Sequence, residues 1–137
     1  MRESVLKAHE LSGRRLVAFD FDGTLADTKP QIVRVARQVL LERGLTDEQL
    51  VDVDEIIGPP FPQAFMMVFG LSENDASEVT DAYRAIYARL GPKAWPLFDG
   101  VTKLLQRLKD RGKVLATVSS KRLEILRRGL VDNGILE

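Results

Sequence analysis

Cysteine is absent from this 137-residue chain, and histidine and tryptophan each occur once. The first absence removes disulfides, thiolate metal sites and thiol catalysis together, and it leaves the redox environment undetermined. His9 stands alone in a polar N-terminal segment, without the positioned partner that general acid and base work requires. An excess of either charge is missing as well. The 20 basic and 20 acidic residues cancel, and no stretch gathers enough of one sign to draw nucleic acid or anionic lipid by bulk field. Long hydrophobic runs are also lacking: residues 64–69 form the longest, far short of the roughly 18 needed to cross a bilayer. Residues 1–15 alternate charge with isolated apolar positions and hold no apolar centre of a secretion signal. These features set the expectation of a cytoplasmic protein with no nucleic-acid and no membrane partner.

What is present is a globular composition. Apolar residues make up 45% and charged residues 29%, enough side chain to bury in one domain, or in a core carrying one small insertion. Leu16-Val17-Ala18-Phe19 is a continuous apolar run that ends in charge at Asp20, the pattern of a strand buried on both faces of a parallel sheet. A second such run covers residues 113–118 and closes on Ser119-Ser120. Two strands that end on polar residues in the same way can share one crevice at their tips.

Helical signals fill the space between. Pro30 can open a helix whose apolar face is Ile32, Val33, Ala36, Val39 and Leu40, with Gly44 as its stop. Thr46 and Gln49 have the spacing of a capping box for a short helix. Gly58-Pro59-Pro60 with Pro62 makes a stiff turn before a helix over residues 64–69. The clearest helix spans residues 72–90, opened by Ser72 with Asp75 three positions on, and carries Ala76, Val79, Tyr83, Ile86, Tyr87 and Leu90 along one stripe. After Pro92 to Pro96, Val101, Leu104, Leu105 and Leu108 give a helix that stops at Gly112. A last one runs from about Lys121 to Asn133 with Leu123, Leu126 and Leu130 inward. The helical block is too long for an ordinary crossover between parallel strands. The expected division is residues 1–28 and 96–137 for an α/β core and residues 29–95 for an inserted helical cap, with Lys29-Pro30 and Pro92 to Pro96 as its stalks.

Two constellations carry chemistry. In Asp20-Phe21-Asp22-Gly23-Thr24, alternation through Phe21 can bring both carboxylates near one site, where their repulsion favours a bound cation or a proton on one of them. Gly23 permits a sharp turn, and Thr24 offers a hydroxyl and an amide. The plainer alternative is a solvated strand exit. Ser119-Ser120-Lys121 offers hydroxyls and a helix N-terminus as a phosphate seat, against the alternative that Ser120 merely caps the helix. No Gly-x-x-x-x-Gly-Lys loop occurs, and the glycine after the aspartates falls too early for an EF-hand.

The run Phe19-Asp20-Phe21-Asp22-Gly23-Thr24-Leu25-Ala26-Asp27-Thr28 resembles the first motif of the haloacid dehalogenase-like hydrolases. Ile57-Gly58-Pro59-Pro60-Phe61, Tyr83-Arg84, Phe98-Asp99-Gly100-Val101 and Ala116-Thr117-Val118-Ser119-Ser120-Lys121 are similar to the phosphoglycolate phosphatase and 5'-nucleotidase-like branch. The resemblance covers residues 15–137. It implies a Rossmann-like core with a helical cap and magnesium-dependent hydrolysis of a small phosphorylated metabolite through an aspartyl-phosphate. It further implies that Asp20 is the nucleophile and Asp22 the acid and base. Magnesium would sit on the Asp20 carboxylate and the Asp22 carbonyl, and phosphate on Ser119, Ser120 and amides near Phe21, Gly23 and Thr24. Lys121 and Arg84 are candidate substrate contacts.

The family pattern continues with a further lysine and an acidic strand tip, and neither is found in this sequence. Lys121 does not replace that lysine by spacing. The expectation is an incomplete core, with poor hydrolysis or none by this chain alone, completed by a missing segment or by self-association. Two other readings stay open. One is an inactive interaction protein that buries its sheet edge on a partner. The other is a metal-dependent nucleotide-sugar glycosyltransferase using the Asp-x-Asp pair, against which Gly23-Thr24 and the helical insertion argue.

Overall fold

The computed structural model describes residues 13–136, so the expectations placed on His9 and the rest of residues 1–12 lie outside the described residues. Strands β1 (Leu16–Phe19) and β2 (Val114–Thr117) pair in parallel, with Leu16 opposite Val114 and Phe19 opposite Thr117. β1 falls on its apolar run, and β2 is one residue shorter at each end than that pattern predicts. Burial on both faces is not observed. Val17 is buried, but Leu16 and Val114 are each 57% exposed. The reason is the count of neighbours: among the described residues the sheet has two strands, and parallel strands become buried only between further strands and helices.

Between the strands runs a helical block: α1 (Lys29–Glu42), two 3-10 turns (Asp47–Leu50 and Val53–Ile56), α2 (Gln63–Phe69) and α3 (Glu73–Tyr87). α1 buries Ile32, Val35, Ala36, Val39 and Leu40. Val35 takes the inward place expected of Val33, which packs at the margin. The Thr46 N–H donates to Gln49 Oε1 at 2.9 Å, so the capping signal is present but opens a 3-10 turn. At α3 the Asp75 N–H donates to Ser72 Oγ at 3.1 Å, satisfying one of the helix's free N-terminal donors. That helix stops at Tyr87, short of the expected Leu90. The block closes a core of its own: Val35, Ala36, Leu40, Leu50, Ile56, Ala64, Phe65 and Ala76 are essentially inaccessible. Burying a side chain the size of Phe or Leu contributes roughly 1.5–3 kcal/mol.

α4 (Val101–Asp110) and α5 (Leu123–Asp132) flank the sheet. Their faces are narrower than the pattern implies. Leu105, Leu108, Leu126 and Leu130 are buried, but Leu104 is 44% exposed and Leu123, in the first turn of α5, is 68% exposed. Leu123 borders an open groove with Phe19 and Leu115 instead of a filled core. A contact with no local signature fixes α5: the Phe21 ring lies where a Cβ on Gly129 would come within 2.7 Å of it. Only glycine lets the helix approach that ring without displacement.

Two crossings join the helical block to the sheet, and they bond to each other. The Asp27 N–H donates to Pro96 O at 2.8 Å and the Phe98 N–H to Leu25 O at 3.0 Å. Trp95, fully buried at this joint, donates through Nε1–H to Asp132 Oδ2 at 3.0 Å. Its carbonyl accepts from Asn133 Nδ2 at 2.9 Å. Arg128 lies over the indole at 5.5 Å and donates to the carbonyls of Ala88 and Leu90. Trp95 thus forms the core of this joint. No helix among the described residues is long and apolar enough to cross a membrane.

Candidate active site

Because β1 and β2 pair in register, their carboxyl ends arrive side by side. The Val118 N–H donates to Phe19 O at 2.8 Å, so Asp20 and Ser119 leave the sheet at the same edge. Both line one cleft of about 290 Å³ with Asp22, Ser120 and Lys121, while Ile56, Gly58, Pro59, Phe61, Tyr83 and Arg84 form the wall contributed by the helical block. The cleft is small, at the lower end of ligand pockets. The juxtaposition expected of the two strand tips is therefore present, and the Gly58 to Phe61 turn faces the same space.

The loop after β1 winds tightly. Gly23 adopts φ +74°, a conformation that glycine enters without steric cost. This lets the N–H groups of Thr24, Leu25 and Ala26 all converge on Phe21 O, at 3.2, 3.0 and 3.0 Å. The Phe21 N–H donates to Asp20 Oδ1 at 2.7 Å and the Gly23 N–H to Ala26 O at 2.9 Å. The amides of Phe21, Gly23 and Thr24 are thus engaged within the loop, and these three residues do not line the cleft. Their observed work is to shape the turn, with the Phe21 ring anchoring it under α5.

Asp20 is exposed at the strand tip and forms no ion pair among the described residues. Asp22 differs: Lys121 Nζ donates to its Oδ1 at 3.0 Å and its Oδ2 at 3.2 Å, and to Tyr87 Oη at 3.3 Å. The side chains of Lys121 and Asp22 are 9% and 23% exposed. The repulsion expected between the two carboxylates is therefore met on one side by an ammonium. The same Nζ lies 4.7 Å from the centroid of the Tyr87 ring. Burial raises the Tyr87 phenol well above its ordinary value, and the Asp22 carboxylate adds to the effect. Tyr83, stacked on Tyr87 with centroids 5.3 Å apart, is raised likewise by burial, then by Tyr87 and Asp22. Both phenols stay protonated at neutral pH.

Ser120 does not cap α5; Arg122 occupies the cap position and the helix begins at Leu123. Instead the Lys121 N–H donates to Ser119 Oγ at 3.1 Å, which leaves the Ser119 O–H free to donate elsewhere. Arg84 reaches the cleft from α3 and makes a loose contact of 4.0 Å with Asp81. Sequence reasoning treated Tyr87 as packing; its helical spacing from Tyr83 signals a shared face but gives no sign of the lysine it meets.

Among the described residues no three carboxylate or imidazole side chains gather as a metal cage. Magnesium, however, is commonly held by one or two carboxylates with water and substrate phosphate. Asp20, a hard oxygen donor with one carboxylate oxygen unbonded at the cleft, fits that lesser demand.

Residues 17–137 match the family model of the haloacid dehalogenase-like hydrolases. The 5'-nucleotidase of Pseudomonas aeruginosa is 35% identical over 105 residues, covering 77% of this chain and 48% of that protein. The tyrosine-protein kinase PtkA of Mycobacterium tuberculosis is 38% identical over 121 residues, covering 88% of this chain and 41% of that protein. The crystal structure of a predicted phosphatase from Clostridium acetobutylicum superposes with a TM-score of 0.80 at 29% identity, covering 88% of this chain and 56% of that one. The chain spans about half the length of the curated relatives it matches.

Proposed function

The chain belongs to the haloacid dehalogenase-like hydrolase family, and from that premise we propose that its cleft serves magnesium-dependent hydrolysis of a small phosphomonoester. The carrying observation is that Asp20, Asp22, Ser119 and Ser120 line one cleft at the paired ends of β1 and β2. Three of its relatives, named as a nucleotidase, a kinase and a phosphatase, share the movement of a phosphoryl group. Phosphoryl transfer demands positioning and charge neutralisation above all.

In this reading the Asp20 carboxylate attacks phosphorus, a P–O bond forms to it, and the bond to the leaving alcohol breaks as Asp22 gives that oxygen a proton. Water then attacks the aspartyl-phosphate, Asp22 takes a proton from it, and inorganic phosphate leaves with the Asp20 carboxylate restored. Ser119 and Ser120 donate to the phosphoryl oxygens. Asp20 and the Asp22 carbonyl would hold magnesium, which when bound neutralises charge on those oxygens. The helical block, residues 29–95, acts as a cap that excludes water and selects the leaving group, Arg84 being the cation it offers to substrate.

The test is hydrolysis of p-nitrophenyl phosphate by the 137-residue chain with magnesium, joined to intact-mass measurement after acid quench. Slow turnover and a single added phosphoryl group are expected, both abolished by Asp20→Asn. Turnover that survives this substitution overturns the reading.

A further inference from the structure

An ammonium group has three hydrogens to donate, and Lys121 has three protein acceptors: Asp22 Oδ1 at 3.0 Å, Asp22 Oδ2 at 3.2 Å and Tyr87 Oη at 3.3 Å. Its donor capacity is filled without any substrate. Each partner comes from a different part of the chain. Asp22 sits in the loop after β1, Lys121 in the segment after β2, and Tyr87 in the last turn of α3. Lys121 is also nearly buried, at 9% side-chain exposure, so removing either partner would leave a desolvated charge or donor unmatched.

We infer that Lys121 is a positioning residue that holds the Asp22 carboxylate on the Tyr87 side of the cleft and straps α3 to the strand tips. The inference rests on the proposed function only for its kinetic consequence, since the strap exists whether or not the chain is a hydrolase. Four observations agree with it. The lysine grips both carboxylate oxygens, which fixes the plane of the carboxylate as well as its position. That carboxylate is thereby paired with an ammonium, whereas Asp20 forms no ion pair among the described residues. The Tyr87 phenol, held protonated by burial, accepts from the ammonium while keeping its own hydrogen. Finally, the Lys121 N–H bonds Ser119 Oγ, so the same residue sets the proposed phosphate seat from its backbone and the acid–base group from its side chain. A substrate anion could reach this ammonium only by displacing Asp22 or Tyr87, which separates a strap from a simple anion contact.

The test pairs an activity-independent readout with a kinetic one on Lys121→Met, Tyr87→Phe and their double variant, with Asp22→Asn added for the first readout, each checked for folding by circular dichroism. In lysine-ammonium NMR spectra of the 137-residue chain, one protected Nζ signal is expected, lost in Lys121→Met and shifted in both Tyr87→Phe and Asp22→Asn. Absence of a protected signal, or one indifferent to Tyr87→Phe, overturns the strap. In hydrolysis of p-nitrophenyl phosphate, Lys121→Met should lower kcat on the order of 100-fold, the scale of a lost acid–base group, with KM changed less than about threefold. Tyr87→Phe should lower kcat less, and nothing further once Lys121 is gone. A raised KM with unchanged kcat, or additive losses, overturns the positioning role. A wild-type chain that shows the protected signal but no turnover refutes hydrolysis by this chain alone and leaves the strap standing.

Discussion

The helical block and the sheet region are both rich in apolar residues, yet one closes and the other stays open. In the block, Val35, Ala36, Leu40, Leu50, Ile56, Ala64, Phe65 and Ala76 are all at or below 1% exposure. In the sheet region Leu16 and Val114 are at 57% and Val118 at 67%. Helices meet their backbone bonds internally and need only one packed stripe each, so a few of them can complete a core among themselves. A parallel strand needs partners on both edges and cover on both faces. Apolar content therefore does not decide burial; the number of neighbours an element requires does.

The sharpest way to test that contrast is truncation in each region. Phe65→Ala should destabilise the chain by about 3–5 kcal/mol, whereas Val114→Ala should fall within about 0.5 kcal/mol. Urea unfolding of the two variants measures both. Equal losses would mean that the sheet is covered in solution and the contrast does not hold.

The same contrast explains how far sequence reasoning reached. β1 was legible to the residue, and Ser72 marked the start of α3, because an apolar run and a cap are local signals. Leu123 was not: its helical spacing points inward, but the surface it would pack on is an open groove. The shared cleft of Asp20 and Ser119 followed from two strands ending alike. The fact that Phe21, Gly23 and Thr24 spend their amides within the loop did not, because hydrogen-bond partners depend on the turn's geometry. The Lys121–Asp22 pair joins residues 99 positions apart, and the ring of Phe21 against Gly129 is equally remote. Neither leaves a periodic trace.

Gly129 is the one described glycine at which a Cβ would meet another residue within 4 Å, the ring of Phe21. Gly129→Ala should cost about 1–3 kcal/mol through overpacking against Phe21, read as a lower urea midpoint. A neutral result would show the loop after β1 to be loosely seated.

The smallest expected effect appears only in alkali. The chain's two tyrosines, Tyr83 and Tyr87, both lie in the closed region, where burial first and neighbouring groups second raise their phenols. A group whose folded value is raised stabilises the fold fully below its unfolded value and loses that contribution as pH climbs past it. Stability should therefore fall above about pH 10, the ordinary phenol value, and tyrosinate absorbance should rise only together with unfolding. Ionisation of either ring near pH 10 in the folded chain would show that the block is open to solvent.

The paired crossings carry a mechanical consequence. Had residues 27 and 96 passed one another unbonded, the helices could slide, tilt or swivel on two independent tethers. Stitched by Asp27 to Pro96 and Leu25 to Phe98, the tethers share one length, and stretching either would tear a stitch. Arg128, donating to the carbonyls of Ala88 and Leu90 from α5, adds a second set of ties beside that seam.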